Sequence, residues 1–443
     1  MAKVALKDWK EQIRDPKIEC MSRDEMTALQ SERLVKQVKN VYDHVEFYRK
    51  KMDDIGIEPG DIKGIEDIGK LPFTTKEDLR ANYPFGLLAV PQEKIVRVQG
   101  ISGKTCKLTL ASYTQKDVDV WGECVARGLT MAGLTAEDRL HICYGYGLFT
   151  GGMGLDFGAR KLGAMAIPMS AGNTKRQLMC MEDFGATAFA CTPSYALYLA
   201  EAANEAGIVD KLRLKVGING AEPWTEEMRL KIEELLNVNC FDIYGLCEIT
   251  GPGVALECIH HKGMHIYEDY FYPEVLNPAD HTPCADGETG ELVFTTLVKE
   301  GMPLLRYRTK DLTSIDHSTC ECGRTLPRIS KFKGRTDDMK VIRGVNVFPT
   351  QVETALLSIG GGVAPHYMMI VDRENNLDVL TVMVEVDEKY FSDEIRKLDE
   401  LKNKVAAVLK QALGVAVRVK LVEPKTIERS EGKAKRVIDN RGL

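Results

Sequence analysis

Apolar residues recur at helical spacing early in the chain. Leu34, Val38, Val41, Val45 and Tyr48 fall on one face, and Ser22 followed by Glu25 forms a capping-box pair. This pattern predicts one amphipathic helix over residues 22–51, and a second helix from Thr75 (TKEDLRANY). The period then changes. Short apolar runs (RLHICY, AMAIPM, TAFACT, KVGING) alternate with helical stretches at Asp117–Met131, Thr174–Phe184 and Ser194–Ala206. Apolar strands alternating with helices imply layered α/β sheets with largely parallel pairing. Past residue 265, GELVFTT and PLLRYRT read as shorter strands of a β-rich subdomain. A polar turn in GRTDDMKVIRG, residues 334–344, precedes a last unit. That unit reads helix Pro349–Ser358, strands Met368–Val371 and Asp378–Val386, helix Ser392–Leu413 and strand Val415–Val422. The expected fold is therefore α/β: a large N-terminal domain over residues 1–335, of layered α/β sheets plus the β-rich subdomain, and a small C-terminal α+β (ferredoxin-like) domain over residues 336–443.

Length agrees: 443 residues make two or three domains at roughly 100–200 residues each. With 65 acidic and 59 basic residues the net charge is −6, without the basic excess of a nucleic-acid binder. Apolar residues at 44% and charged ones at 28% fit a folded chain and not a disordered one. No apolar run is long enough for a membrane span, and the polar start MAKVALKDWKEQIRDPKIEC has no signal core. A cytoplasmic location, with no nucleic-acid or membrane partner, is the expectation. The twelve cysteines are scattered, as in a chain with reduced, buried thiols.

Four segments invite a ligand. GISGKTCK at 100–107 offers backbone N–H groups and a cation to phosphate, but a Walker loop needs glycine where Val98 stands. In YGYGLFTGGMG at 144–154, a dinucleotide fingerprint is broken at Thr150, and the next strand ends in Pro168-Met169 without an acidic residue. Its glycines either permit close helix–strand packing or line a pocket between Tyr144, Tyr146 and Phe149. NGAEPW (219–224) and YGLCEITGPG (244–253) each follow a strand, where open α/β sheets place ligands.

With CTPSYALYLAE, GELVFTTLVKEGMPLLRYRTKDL, GRTDDMKVIRGVNVFPTQVE and RSEGKAKRV, these segments together resemble the adenylate-forming acyl-CoA ligases, most closely the phenylacetate–CoA ligase branch, over nearly the whole chain. The resemblance implies an ATP-dependent acid–thiol ligase. A carboxylate attacks the α-phosphate of ATP, and coenzyme A thiol then takes the acyl group from the adenylate. It also implies roles. Tyr244 lies against adenine, with Gly220, Ala221, Glu222 and Gly245 around it. Asp311 accepts both ribose hydroxyls, and Arg335 senses ribose or phosphate. Glu248 ligates Mg²⁺. Ser102, Gly103, Lys104 and Thr105 form the phosphate loop. Lys433 reaches the α-phosphate and the acid. Asp337 is the hinge of a mobile C-terminal domain, which carries Lys433 out and brings Gly344–Asn346 over the thiol. Tyr144, Phe149 and the Ala190–Tyr195 strip, Pro193 included, line the pocket for an aryl acid. Homodimers are a habit of the family.

Two departures stand out. The family's phosphate loop has a second glycine, a further hydroxyl and a proline that are missing here, and Cys247 replaces the usual Ser or Thr of the adenylate motif. Both remove hydroxyl donors, so slower adenylation or an altered nucleotide preference is expected. Transfer to another acceptor, a carrier-protein thiol or an amine, and a non-catalytic nucleotide-binding paralog are the alternatives.

Five of the eight histidines lie between residues 260 and 317, with Cys258 and Cys284 beside or among them. CECGR places Cys320 and Cys322 one residue apart, a spacing that chelates more readily than it forms a disulfide. A structural Zn²⁺ site from Cys258, His265, Cys320 and Cys322 is expected, with His260 or His261 as alternatives to His265.

Overall fold

The computed structural model describes residues 13–101, 108–336, 340–343, 345–359, 363–374, 377–386, 395–429 and 435–441. The chain forms two compact units. The first comprises residues 1–191, 210–221 and 238–331, the second residues 192–209, 222–237 and 332–443.

In the first unit the Ser22 hydroxyl accepts the Glu25 amide and Glu25 bonds back to the Ser22 N–H, opening the helix Arg23–His44. Met26, Leu34, Val38 and Val41 are buried, each side chain contributing roughly 1.5–3 kcal/mol. The helix does not run to residue 51. Val45 is extended (φ −118°), and a separate helix spans Glu46–Asp54. Arg49 takes up the first helix's terminal carbonyls, donating to the oxygens of Tyr42 (2.9 Å) and Asp43 (2.6 Å). Val45 and Tyr48 stay buried, so the apolar period marks the buried face and passes over the break.

A nine-stranded sheet forms the centre of this unit. Its order is Ile315–Asp316, Arg328–Ile329, Met264–Ile266, Gly251–Glu257, Asn239–Leu246, Val216–Gly220, Ala188–Cys191, Arg139–Ile142 and Met165–Ile167. From Asn239–Leu246 to Met165–Ile167 neighbours run parallel; the other pairs are antiparallel. Helices Gln115–Met131 and Thr150–Leu162 pack on each other. Glycine permits this: a Cβ on Gly158 would lie 2.2 Å from Val125, and one on Gly154 2.6 Å from Pro252 and 2.7 Å from Trp121. Gly154 meets the strand Gly251–Glu257 at Pro252, as the helix–strand packing alternative expects, whereas Gly158 packs helix on helix.

Phe271–Leu276, Gly290–Thr296 and Tyr307–Thr313 pair antiparallel in that order. The strand expected at PLLRYRT begins late, because Arg306 has a left-handed backbone (φ 43°) held by its guanidinium on Glu274 and on the carbonyls of Gly69 and Leu71. Leu304 and Leu305 are buried ahead of it.

The second unit joins helices Pro193–Glu205 and Glu226–Leu236 to residues 332–443. His366 lies 3.2 Å from Glu201, and the Thr225 amide donates to Glu353 (3.3 Å). A sheet in the order Arg418–Val422, Leu377–Val386, Val363–Glu374, Val437–Asp439 packs with helices Pro349–Leu357 and Ile395–Leu413 around Val352, Leu356, Val382, Val405 and Leu409. This is the α+β arrangement expected, with one difference in detail. Leu377–Val386 and Arg418–Val422 are direct parallel neighbours, where a ferredoxin-like order would place a strand between them. Among the described residues no helix is long and apolar enough to cross a membrane.

Candidate active site

The parallel strands of the first unit end side by side, the position where open α/β sheets bind ligands. Tyr144 follows the strand Arg139–Ile142 and is buried, and its hydroxyl donates to the carbonyls of Cys191 (2.8 Å) and Gly220 (3.1 Å). It thus fastens the ends of two further strands. A Cβ on Gly220 would lie 2.0 Å from the Ile243 carbonyl oxygen, so the backbones meet only because the residue is glycine. Ala221 turns away with φ 71°. Gly245 is equally confined, its Cβ position lying 1.8 Å from the Gly251 oxygen. Phe149 is 40% exposed, and Gly151 and Gly152 abut Tyr144 and Tyr146.

Tyr244 and Asp311, 67 residues apart, are brought together: the phenol donates to Asp311 Oδ2 at 2.6 Å. A bond this short to a carboxylate is charge-assisted and fixes the carboxylate's orientation. Glu248 is buried. Its Oε1 accepts from the Tyr307 hydroxyl (3.1 Å) and lies 3.7 Å from Lys76 Nζ. Sequence reasoning did not single out Lys76, Tyr307, Tyr113 or Lys299. Lys299 Nζ donates to the carbonyls of Glu248 (3.1 Å) and Ile249 (2.6 Å) and stands over the Tyr113 ring. Burial pushes its ammonium down to about 8, against the pull of Asp117, Cys247 and Glu248. The Tyr113 hydroxyl donates to the carbonyls of Cys247 (3.1 Å) and Thr250 (2.9 Å), completing the support of the turn. The Cys247 thiol is pushed up, first by burial and then by the Glu248 charge, so it stays protonated.

In the second unit, Pro193 opens its helix and Glu222 accepts the Ser194 amide at 2.7 Å, a carboxylate at a helix N-terminus. Glu222 therefore has a bonding role that the adenine-wall expectation did not include. Arg335 lies in the short strand Gly334–Arg335. Burial pushes Glu353 up to about 7, with Arg436 opposing and Glu222 adding to the rise. Arg436 Nη2 lies 4.0 Å from Glu353 and donates to the Ser194 hydroxyl at 3.3 Å. The expected phosphate-loop residues Ser102, Gly103, Lys104 and Thr105, the hinge Asp337, Gly344 and the lysine Lys433 lie outside the described residues.

Cys258, His265, Cys320 and Cys322 converge in the first unit. All four are buried, with their ligand atoms within 4.8 Å of one another. Of the three candidate imidazoles, His265 is the one in the cluster. His260 and His261 instead lie beside Glu321 and Glu257.

Comparison with known proteins places the chain in a family. Residues 344–441 match the AMP-binding enzyme C-terminal domain. The chain is 47% identical to a phenylacetate–coenzyme A ligase of Thermus thermophilus, covering 96% of this chain and 99% of the relative. It is 46% identical to a protein of the same name from Escherichia coli, covering 97% and 98%. Among solved structures, 2-hydroxyisobutyryl-CoA ligase in the postadenylation state in complex with 2-HIB-AMP superposes with a TM-score of 0.92 at 28% identity, covering 99% of this chain and 97% of that one. The chain belongs to the phenylacetate–CoA ligase family and is an AMP-forming acid–thiol ligase.

Proposed function

We propose that the protein activates an aryl carboxylic acid of the phenylacetate kind with ATP and passes the acyl group to coenzyme A. Near-full-length identity to ligases named for phenylacetate carries this reading. In the first half-reaction a carboxylate oxygen attacks the α-phosphorus, the bond to the β-phosphate oxygen breaks, and pyrophosphate leaves. In the second, the coenzyme A sulfur attacks the acyl carbon, AMP leaves with the electrons of the C–O bond, and the thiol proton passes to solvent. The chain's task is positioning and charge neutralisation.

Asp311, oriented by Tyr244, would accept the ribose hydroxyls, while Gly220, Ala221, Glu222 and Gly245 would border the adenine. Arg335 and residues 102–105 would meet ribose and phosphates. Tyr144, Phe149 and Pro193 would border the acid. Lys433 would bond the α-phosphate and the acid, carried by a mobile domain over residues 336–443 that hinges at Asp337. Magnesium use is general to this family, and Glu248 fits it: a buried carboxylate beside a lysine can supply one ligand, with phosphate and water completing the shell. The ion would neutralise phosphate charge when bound. The same reading gives a structural Zn²⁺ on Cys258, His265, Cys320 and Cys322, a homodimer and a cytoplasmic location.

The test is incubation with ATP, Mg²⁺, coenzyme A and a panel of phenylacetate, hydroxyphenylacetate, indoleacetate, benzoate and aliphatic 2-hydroxy acids, read by mass spectrometry. An aryl-CoA formed with equimolar AMP is expected. Product from the aliphatic acids alone would overturn the aryl assignment. AMP and pyrophosphate without thioester would point to another acceptor. No product with any acid would point to a paralog that binds nucleotide without catalysis.

A further inference from the structure

Two edges of the Cys/His cluster have the lengths of a metal tetrahedron, and its four ligand atoms all lie within 4.8 Å of one another. With Zn–S near 2.3 Å and Zn–N near 2.05 Å, tetrahedral angles give S···S edges of about 3.8 Å and S···N edges of about 3.6 Å. Cys258 Sγ and Cys320 Sγ are 3.7 Å apart, and Cys322 Sγ and His265 Nε2 are 3.5 Å apart. A disulfide would need about 2.05 Å. His265 Nδ1 lies 3.2 Å from the Leu326 carbonyl, the outer bond that turns Nε2 toward a metal. Four protein ligands close the shell, which makes such a site structural.

The loop that supplies two of these ligands also grips residues 19–21. Residues 320–324 close into a turn, with the Gly323 amide donating to the Cys320 carbonyl (2.9 Å) and the Cys320 amide to the Arg324 carbonyl (3.1 Å). Arg324 is 1% exposed and donates from Nε to Glu19 Oε2 at 2.5 Å, while Glu19 is fully buried. Thr325 adds two bonds, from its amide to the Glu19 carbonyl (3.0 Å) and from its hydroxyl to the Met21 carbonyl (2.6 Å). The other Glu19 oxygen accepts the Asp15 amide at 2.9 Å. A buried ion pair repays its desolvation only when its geometry is held. Here the geometry is held by the turn at 320–324, and two of that turn's side chains are metal ligands. Three thiolates on a divalent cation leave one negative charge, so Arg324 would stand between two anionic partners, the metal centre and Glu19.

We propose that zinc binding at Cys258, His265, Cys320 and Cys322 is thermodynamically coupled to docking of residues 15–21 through the Arg324–Glu19 pair. The proposal rests on the zinc reading above and goes beyond it. Zinc would do more than cross-link two β segments: its loading would set whether the N-terminal segment is held.

The experiment uses the full chain, purified without chelator from zinc-supplemented medium. Metal analysis is expected to give one zinc per chain. Hydrogen exchange is then followed before and after zinc is withdrawn by a mercurial titrant, and again after excess thiol has taken the mercurial off the cysteines and Zn²⁺ or Mg²⁺ is added. Exchange at residues 15–21 is expected to rise at least tenfold on withdrawal and to return with Zn²⁺ only, with the helix Glu226–Leu236 unchanged. Coupling is reciprocal, so Glu19→Gln should keep its zinc but lose it to a chromogenic chelator several-fold faster. Less than a tenth of an equivalent of zinc would overturn the zinc reading itself. Stoichiometric zinc with unaltered exchange at 15–21 would overturn the coupling alone. So would an even rise over the whole chain, or unchanged release from Glu19→Gln.

Discussion

Glu353 should make the second unit pH-sensitive, and replacing it with glutamine should remove that sensitivity. An ordinary glutamate titrates near 4.5, whereas burial lifts this one to about 7 despite Arg436 at 4.0 Å. Each pH unit between the two values is about 1.4 kcal/mol, so the ionised form costs about 3 kcal/mol more in the fold than in the unfolded chain. Because the folded value is raised, the stabilisation is complete below 4.5 and is lost as pH rises through 7. Glutamine keeps the shape and an acceptor for the Thr225 amide, with no charge to bury. Glu353→Gln should therefore match the parent within about 1 kcal/mol at pH 5 and exceed it by up to about 3 kcal/mol at pH 8. Urea titration with pulse proteolysis, scored by cleavage within residues 222–237 and 349–357, reads this unit apart from the first. Taking the difference between the two proteins cancels every other titrating group. Stability curves that run parallel from pH 5 to pH 8 would refute the argument.

Tyr244→Phe deletes the 2.6 Å bond to Asp311, worth roughly 1.5–3 kcal/mol to a charged acceptor, and should raise the KM for ATP about 10- to 100-fold in pyrophosphate exchange; an unchanged KM would remove Asp311 from the ribose site. Gly220→Ala would set a Cβ 2.0 Å from the Ile243 oxygen and should lower both adenylation and thermal stability, whereas Gly60→Ala, with nothing within 4 Å, should change neither. If Gly220→Ala behaves like Gly60→Ala, the close strand approach is not needed. Cys247→Ser restores a hydroxyl in nearly the same volume, and pyrophosphate release should quicken several-fold; equal rates would show that the missing hydroxyl does not limit adenylation.

Legibility in the sequence followed distance along the chain. The capping box at Ser22 is settled within three residues, and the helices begin at Arg23 and Lys76, where Ser22 and Thr75 place them. The strand GELVFTT is found at Gly290–Thr296 as expected, because a run bounded by turns carries its own limits. Breaks set by remote contacts were not readable. Val45 leaves the helix where Arg49 supplies other bonds, and the strand at Tyr307 waits on Arg306, whose partner Glu274 is 32 residues away. The Cys/His cluster is an intermediate case. Cys320 and Cys322 declare themselves by spacing, but choosing among His260, His261 and His265 needs register: Met264 pairs with Glu257 and His265 with Leu256 and Arg328, which sets that imidazole between the segments that carry the thiols.

The site shows the same rule from the chemical side. Glu248 can be singled out because it lies in a short motif, but what it touches cannot be read there. Lys76 comes from a helix 172 residues earlier, Tyr307 from a strand 59 residues later, and Lys299, 51 residues on, holds the turn's own carbonyls. None of these three has a local pattern, since a lysine or tyrosine in a polar stretch reads as a solvated side chain. Yet Lys299 is buried with its ammonium weakened, and a cation placed there at such a cost must be fixing something. Its two acceptors are the backbone oxygens of Glu248 and Ile249, so what it fixes is the orientation of the YGLCE turn, and with it the carboxylate. A motif thus names the group proposed to meet the ligand, while the residues that hold that group in place are scattered and become visible only when the chain is folded.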